Sequence, residues 1–104
     1  PADPYPLDAY LVHAGEAAQV FAWQAAERLR GRGLAVLLHC GGGSFKSQMR
    51  KADASGARFA LIVGDTEAAA AQVGVKPLRE ASEQVALSID EAADLLLGGR
   101  QKTR

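Results

Sequence analysis

Three short segments combine glycine with polar side chains that could do chemistry: HAGE at 13–16, HCGGGS at 39–44 and GDTE at 64–67. A glycine loop lets a ligand approach the backbone, and a helix that begins at Ser44 would present free N–H groups to an anion. The middle segment is therefore the most suggestive of the three. A flexible turn that binds nothing is also compatible with its glycines.

Nucleotide-binding fingerprints are absent from these segments. A dinucleotide-binding fold needs G-x-G-x-x-G after its first strand, where this chain has only Gly15. A phosphate-binding loop needs G-x-x-x-x-G-K-[ST], and the GSFK segment at 43–46 does not match it. The sequence favours neither activity.

A metal site and a nucleophilic site find no support either. His13, His39 and Cys40 could converge, since two strand ends can be neighbours, but they show neither C-x-x-C nor H-x-x-x-H spacing. Cys40 and His39 are adjacent, so on a strand their side chains point to opposite faces. Ser44 has no Ser/His/Asp setting, and Trp23 is interpreted as part of the core or of a packing surface. We expect no catalytic residue and no metal ligand in this chain.

Composition and charge exclude several classes of protein. The 104 residues suit one domain, and the 48% hydrophobic and 23% charged fractions are those of a globular protein. Twelve basic side chains balance twelve acidic ones, which argues against a general nucleic-acid coat and a polybasic membrane binder. No apolar run approaches the roughly 18 residues of a membrane span, and no signal peptide is visible. The single cysteine indicates a reducing, cytoplasmic setting.

Basic residues are clustered along the chain. One cluster lies at 46–51, a second at 28–32 and a third at 100–104, while most acids lie elsewhere in the sequence. Such clusters are commonly solvated faces, but they can also hold phosphates.

The hydrophobic pattern predicts alternating strands and helices that carry the glycine-containing segments. The expected elements are strand 8–14, helix 16–30, strand 34–39, a helix from the N-cap Ser44 to about Ser55, strand 57–63, a short helix at 65–71, strands 72–78 and 84–87, and a helix from the N-cap Ser88 to about Leu97. Gly56, and Gly98 with Gly99, are the expected helix ends. Pro77 must lie at an edge or at the end of its strand, because it has no N–H to donate.

This order predicts a three-layer α/β/α fold on a mixed five-stranded sheet. Parallel strands joined by helices need right-handed crossovers, and the hairpin at 72–88 adds an antiparallel strand to the parallel core. The continuous apolar runs at 34–38 and 59–63 are typical of strands covered on both faces, and we place 57–63 at the centre. Ligands of such sheets gather at the carboxyl ends of the parallel strands, where all three glycine-containing segments fall.

Three stretches of this sequence resemble the C-terminal anticodon-binding domain of bacterial histidyl-tRNA synthetases. They are GSFKSQMRKADASGA at 43–57, GDTE at 64–67 and VKPLR at 75–79. The resemblance extends from about Asp8 to Leu97, and related domains of threonyl-, prolyl- and glycyl-tRNA synthetases share the outline. The fold of that family is the three-layer mixed sheet inferred from the pattern above.

The resemblance implies a partner and a place in a longer protein. The partner is the anticodon stem-loop of tRNA(His), and residues 1–7, which hold three prolines, would be a linker from an upstream class II catalytic domain. The anticodon-binding domain would span 8–98, and 99–104 would be a flexible tail. ATP and Mg²⁺ would belong to the catalytic domain, so this chain needs no cofactor and is no enzyme by itself. The parent would be a cytoplasmic homodimer, a histidine–tRNA ligase.

The resemblance also assigns site residues. Unpaired anticodon bases expose edges that side chains read by hydrogen bonds, while cations hold phosphates without reading sequence. The residues expected to read bases are Ser44, Gln48, Glu67 and Lys76, and those expected to hold the tRNA backbone are Lys46, Arg50, Lys51 and Arg79. If the resemblance extends to specificity, the anticodon is GUG.

Two other classes of function stay open at this point. The same fold could serve outside aminoacylation, as an RNA-sensing, regulatory or accessory domain. A flavodoxin-like small-ligand or phosphoacceptor domain is the third reading, but the first strand end lacks the acidic pocket that a phosphoacceptor needs.

Overall fold

In the described part of the chain, five strands and four helices follow one another in the order that the sequence predicts. The computed structural model describes the backbone of residues 7–102 and the side chains of residues 7–98, so the prediction for 1–7 lies outside the described residues except at Leu7. The elements are β1 (Ala9–His13), α1 (Glu16–Gly31), β2 (Val36–Leu38), α2 (Phe45–Ala54), β3 (Phe59–Val63), α3 (Asp65–Ala70), β4 (Gln72–Pro77), β5 (Val85–Ser88) and α4 (Ile89–Lys102).

The strands form one mixed sheet in the order β2-β1-β3-β4-β5. β1 pairs in parallel with β2 and β3, whereas β4 pairs antiparallel with β3 and β5. The predicted fold class is therefore confirmed, and β3 is the central strand as expected. Pro77 is the last residue of β4, where its missing N–H costs the sheet least.

Helices cover the two faces of the sheet unequally. α1, α3 and α4 pack on the first face, where the main core includes Leu11, Leu29, Leu61 and Leu96, all fully buried. Each such side chain stabilises the fold by about 1.5–3 kcal/mol relative to exposure. On the second face, α2 packs on β1 and β3 and covers a smaller cluster around Tyr10. Among the described helices, none covers β4 and β5 on that second face.

The strand β2 differs from its prediction. Its apolar run at 34–38 suggested coverage on both faces, but β2 is a three-residue edge strand and Leu37 is 41% exposed. α2 lies over β1 and β3 instead of over this edge. An apolar run in the sequence shows that a strand is hydrophobic, but it does not show whether helices will cover both of its faces.

The last helix also differs from its prediction. α4 continues past Leu97 and through Gly98 to Lys102, so the prediction of a helix end there is wrong. A glycine ends a helix by adopting positive φ. Gly56, at +82°, does this after α2, whereas Gly98 does not. Residues 103–104 of the expected tail lie outside the described part of the chain.

A buried ion pair joins the amino ends of the three parallel strands. Asp8 accepts hydrogen bonds from the backbone N–H of Ala35 at 2.8 Å and from Arg58 Nη2 at 3.0 Å. The side chains of Arg58 and Asp8 are only 12% and 5% exposed. Arg58 also donates to the carbonyl of Leu96 on α4 at 3.0 Å. This end of the sheet is therefore closed by structural contacts.

The described helices include none that is both long and apolar enough to cross a membrane.

Candidate nucleic-acid interface

The three glycine-containing segments meet at one edge of the sheet, as the sequence predicts. β1 lies between β2 and β3, and its last residue His13 is in register with Val63, the last residue of β3. The N–H of His39, just after β2, donates to the carbonyl of Leu11 at 2.9 Å. The segments 13–16, 39–44 and 64–67 therefore follow three neighbouring strands.

The glycine loop between β2 and α2 is held by two side chains. Gly41, Gly42 and Gly43 all have positive φ, at +101°, +69° and +96°, a conformation that favours glycine at each position. His39 Nε2 bonds the carbonyl of Gly42 at 2.7 Å, and Gln48 Nε2 donates to the carbonyl of Gly43 at 2.8 Å. The loop has fixed anchors, which a flexible turn would not need.

A buried histidine, His39, and a buried tyrosine, Tyr10, form a chain of hydrogen bonds that ends on this loop. His39 Nε2 must carry the hydrogen, because the Gly42 carbonyl can only accept. In the neutral ring, Nδ1 then accepts from the hydroxyl of Tyr10 at 2.7 Å. Burial, with a smaller contribution from the charge of Cys40, raises the pKa of Tyr10 and keeps its hydroxyl protonated as a donor.

The metal interpretation of this region gains nothing from the structure. Both nitrogens of His39 are occupied by hydrogen bonds, and His13 Nε2 bonds the carbonyl of His39 at 3.0 Å. No group of three or more potential ligands is found among the described residues.

Gln48, which the resemblance assigns to base reading, faces the interior. Its side chain is fully buried. Its Oε1 accepts from the N–H of His13 at 2.9 Å, and its Nε2 donates to the carbonyls of His13 and Gly43 at 2.8 Å each. The amide thereby fastens α2 to β1 and to the glycine loop. A contact between Gln48 and a base stays a prediction, but this geometry fits a positioning role better.

Ser44 begins α2 as the sequence predicts. Its Oγ accepts from the N–H of Ser47 at 3.2 Å, and its side chain is exposed at the sheet edge. The next two N–H groups, of Phe45 and Lys46, find no acceptor in the described part of the chain. This helix start can therefore donate hydrogen bonds to an external anion.

Glu67 lies close to the start of α2. Its Oε1 accepts from the N–H of Gly64 at 2.7 Å, which is half of a capping box, because Gly64 has no side chain to return the bond. A Cβ on Gly64 would lie 2.9 Å from Glu67 Oε1 and 3.7 Å from the ring of Phe45, so α2 and α3 start side by side. Glu67 is half-buried, and its second oxygen bonds none of the described residues.

Lys76 is not at this edge. It lies opposite Ala60 in the register, four residues before Gly64, which is about 13 Å along the strand. Its side of β4 is the uncovered second face of the sheet. We call this surface the open sheet face; it comprises Gln72, Gly74, Lys76, Gln84 and Ala86.

Two of the three predicted phosphate-holding cations on α2, Lys46 and Arg50, lie on the same side of the helix as Asp53. At about 100° per residue, Lys46, Arg50 and Asp53 lie within about 60° of one another around the helix. Asp53 pairs with Arg79, which follows β4, so this side of α2 faces β4. Lys51 is turned about 140° from Lys46 and faces away. Lys46, Arg50 and Lys51 form no ion pair with an acid among the described residues.

Arg79 already forms hydrogen bonds within the protein, at a distance from the other residues predicted to contact tRNA. Its Nη2 donates to the carboxylate and the carbonyl of Asp53 at 2.9 and 3.0 Å, and its Nε donates to the carbonyl of Ala57 at 3.2 Å. These contacts join the end of α2 to the segment before β3. A phosphate contact by Arg79 stays a prediction, and it would have to share the guanidinium with this clamp.

The second basic cluster is paired. Arg28 bonds Asp90 at 3.0 Å and Arg32 bonds Asp94 at 2.8 Å, joining α1 to α4. Arg30 pairs with Glu27 at 2.9 Å. The positive charge that remains unpaired in the described residues therefore includes the cations of α2 and Lys76, on the second face of the sheet.

A cavity of about 860 Å³ opens between the glycine loop and the first half of α1. Its lining includes His13, Glu16, Gln19, Val20, Trp23 and Cys40. Trp23 is 58% exposed and belongs to no core cluster, so it is a surface residue of α1. The residues that line this cavity include no lysine or arginine, which makes it a poorer match for a nucleic acid than the open sheet face.

Comparisons with known proteins agree on one family. Residues 8–98 match a family model described as an anticodon binding domain. The chain is 66% identical over 89 residues to a histidine–tRNA ligase of Thiobacillus denitrificans and 60% identical to that of Nitrosomonas europaea. Each match covers 86% of this chain and 21% of the relative, so the chain spans about a fifth of the length of these proteins.

Solved structures agree with the sequence relatives. The histidyl-tRNA synthetase of S. aureus superposes with a TM-score of 0.76 at 26% identity, covering 88% of this chain and 23% of that one. The RNA binding domain of a threonyl-tRNA synthetase from Cryptosporidium parvum gives a TM-score of 0.84 at 18% identity, with 91% and 24% covered, and shows a likeness of fold alone.

Proposed function

The chain belongs to the anticodon binding domain family, and from that premise we propose that it recognises the anticodon loop of tRNA(His) within a histidine–tRNA ligase. The relatives that share 66% and 60% identity are histidine–tRNA ligases, which supports this parent over an RNA sensor or an accessory domain. Under this proposal the ATP, the Mg²⁺ and the reacting atoms belong to another part of a homodimeric, cytoplasmic parent enzyme. The chain itself binds and positions tRNA.

The observation that carries the proposal is the set of unpaired cations around the open sheet face. Lys46 and Arg50 on α2 and Lys76 on β4 have no acidic partner among the described residues, although other cations of the same chain do. Unpaired cations beside an uncovered polar surface suit a single-stranded, anionic ligand. Phosphates would lie along α2, and bases would lie over the strands.

The sheet edge supplies groups that suit base reading. The second oxygen of Glu67 can accept from guanine N–H groups, and GUG contains two guanines. Ser44 and the free N–H groups after it can donate to a base or a phosphate from the adjoining helix start. We assign Gln48 the role of holding α2, β1 and the glycine loop together, because its amide already forms hydrogen bonds with the backbone of His13 and Gly43.

Salt-dependent binding of a hairpin RNA with the anticodon GUG tests this proposal. We expect the chain to bind this hairpin more tightly than hairpins with altered anticodons. Lys46→Ala and Arg50→Ala should weaken binding to all hairpins alike, and each should lower the log–log salt slope by about 0.7. Lys51→Ala is the matched control, since it removes the same charge from the side of α2 that faces away.

Two outcomes would contradict the proposal. Equal binding to every hairpin would show that the chain does not read the anticodon. Slopes that fall equally in Lys46→Ala and Lys51→Ala would show a general electrostatic attraction with no preferred face.

A further inference from the structure

A glutamine lies across the open sheet face because residue 74 has no side chain. A Cβ on Gly74 would come within 2.5 Å of Gln84 Nε2 and 3.2 Å of Gln84 Cδ. The φ of Gly74 is not positive, so its backbone conformation suits any residue. The absence of a side chain at 74 therefore serves to leave room for the Gln84 amide on the strand surface.

Gln84 lies at the start of the edge strand β5, and its side chain reaches over β4. β4 and β5 pair as far as Val75 opposite Val85, and Gln84 comes just before β5. Its amide lies over Gly74, on the second face of the sheet. Gln84 is exposed, and its amide makes no hydrogen bond with any described residue. Both its donors and its acceptor are available to a ligand.

The chemistry of this amide differs from that of the neighbouring cations. Lys46, Arg50 and Lys76 are point charges that attract phosphates irrespective of sequence. A neutral amide adds little to phosphate binding, but its paired donor and acceptor match the hydrogen-bonding edge of a base. The open sheet face carries two such amides, those of Gln72 and Gln84, and Gln84 is the exposed one, so Gln84 is the better suited to read sequence.

We propose that Gln84 contacts one anticodon base and determines specificity at that position, and that Gly74 is a positioning residue that lets the amide lie on the sheet. This inference rests on the proposed function and adds two residues that neither the sequence pattern nor the family resemblance singled out.

Binding of GUG hairpin RNA and of hairpins changed at one anticodon base at a time tests the inference, measured by fluorescence anisotropy of labelled RNA. Gln84→Ala should weaken binding of the GUG hairpin about tenfold, and discrimination should be lost at one anticodon position only. Gly74→Ala should do the same, because the new Cβ displaces the flexible end of Gln84. The double variant should bind like either single variant, since both changes remove one contact.

Matched controls separate this role from general damage. Gln24→Ala removes another exposed glutamine, on α1, which packs on the other face of the sheet. Gly98→Ala adds a methyl group in α4 where nothing lies within 4 Å. Both should bind every hairpin as the unaltered chain does. Circular dichroism of each variant shows whether it folds, and Gln84→Ala, a surface change, tests the inference even if Gly74→Ala does not fold.

The outcomes distinguish this inference from the proposed function. If the unaltered chain does not discriminate among the hairpins, the proposed function fails and the inference with it. If the unaltered chain discriminates and Gln84→Ala keeps that discrimination, the inference alone is overturned. A loss that is equal for all hairpins would also overturn it, and additive losses in the double variant would overturn the positioning role of Gly74.

Discussion

Replacing Gln48 with methionine tests whether its side chain positions the interface or reads a base. Methionine has a similar length and volume, so the change removes hydrogen bonds while leaving little cavity. Three bonds are lost, to the N–H of His13 and to the carbonyls of His13 and Gly43. At about 1 kcal/mol net for each bond, the free energy of unfolding should fall by about 3 kcal/mol. For a domain of this size the melting temperature should fall by roughly 12–24 °C.

Urea unfolding followed by circular dichroism measures this change. Gln24→Met, at an exposed position on α1, is the matched control and should alter the free energy of unfolding by less than about 0.5 kcal/mol. If Gln48→Met is as stable as that control but loses discrimination among anticodon hairpins, the positioning argument is refuted and Gln48 is a base reader.

Three further expectations concern single side chains. Glu67→Ala should weaken binding of the GUG hairpin by about 1–3 kcal/mol and an anticodon-altered hairpin much less; equal losses would mean that the Gly64 cap is its only role. Asp8→Ala should lower the free energy of unfolding by about 3–5 kcal/mol in urea, because it leaves the Arg58 charge buried and unpaired; a loss below about 1 kcal/mol would refute this. Burial raises the pKa of Tyr10, so the folded state holds this proton more tightly than the unfolded chain and stability falls as pH rises above about 10. Tyrosinate absorbance in a Tyr5→Phe background should show a late titration, and one at the ordinary value would contradict the burial argument.

Features that depend on a few neighbouring residues could be predicted from the sequence. The caps at Ser44 and Gly56 are where the pattern indicates. At Ser88, the N–H donates to Glu91 and the Ser88 hydroxyl accepts from the Glu91 N–H, at 2.9 and 3.1 Å. Each of these contacts spans three residues or fewer, so the local chain decides it. The element order follows in the same way, because periodicity is a local property.

The role of Gln48 depended on contacts across the fold. Its partners His13 and Gly43 lie 35 and 5 residues away, and the amide meets them only once α2 is docked on β1. One signal was available in the sequence: Gln48 falls three residues after Phe45 and four before Ala52, on the stripe that faces the sheet. A polar residue on such a stripe is buried and must find partners there.

Which charged residues form ion pairs could be read only from the tertiary structure. Sequence spacing groups Lys51 with Lys46 and Arg50, and it leaves Arg28 far from Asp90. Docking of α2 turns Lys51 away from the open sheet face, while docking of α1 against α4 brings Arg28 to Asp90. The sequence by itself determined the order of the elements and the family. The tertiary structure decided which cations stay unpaired and that Gln84 lies over Gly74, because pairing depends on distances between residues that are remote along the chain.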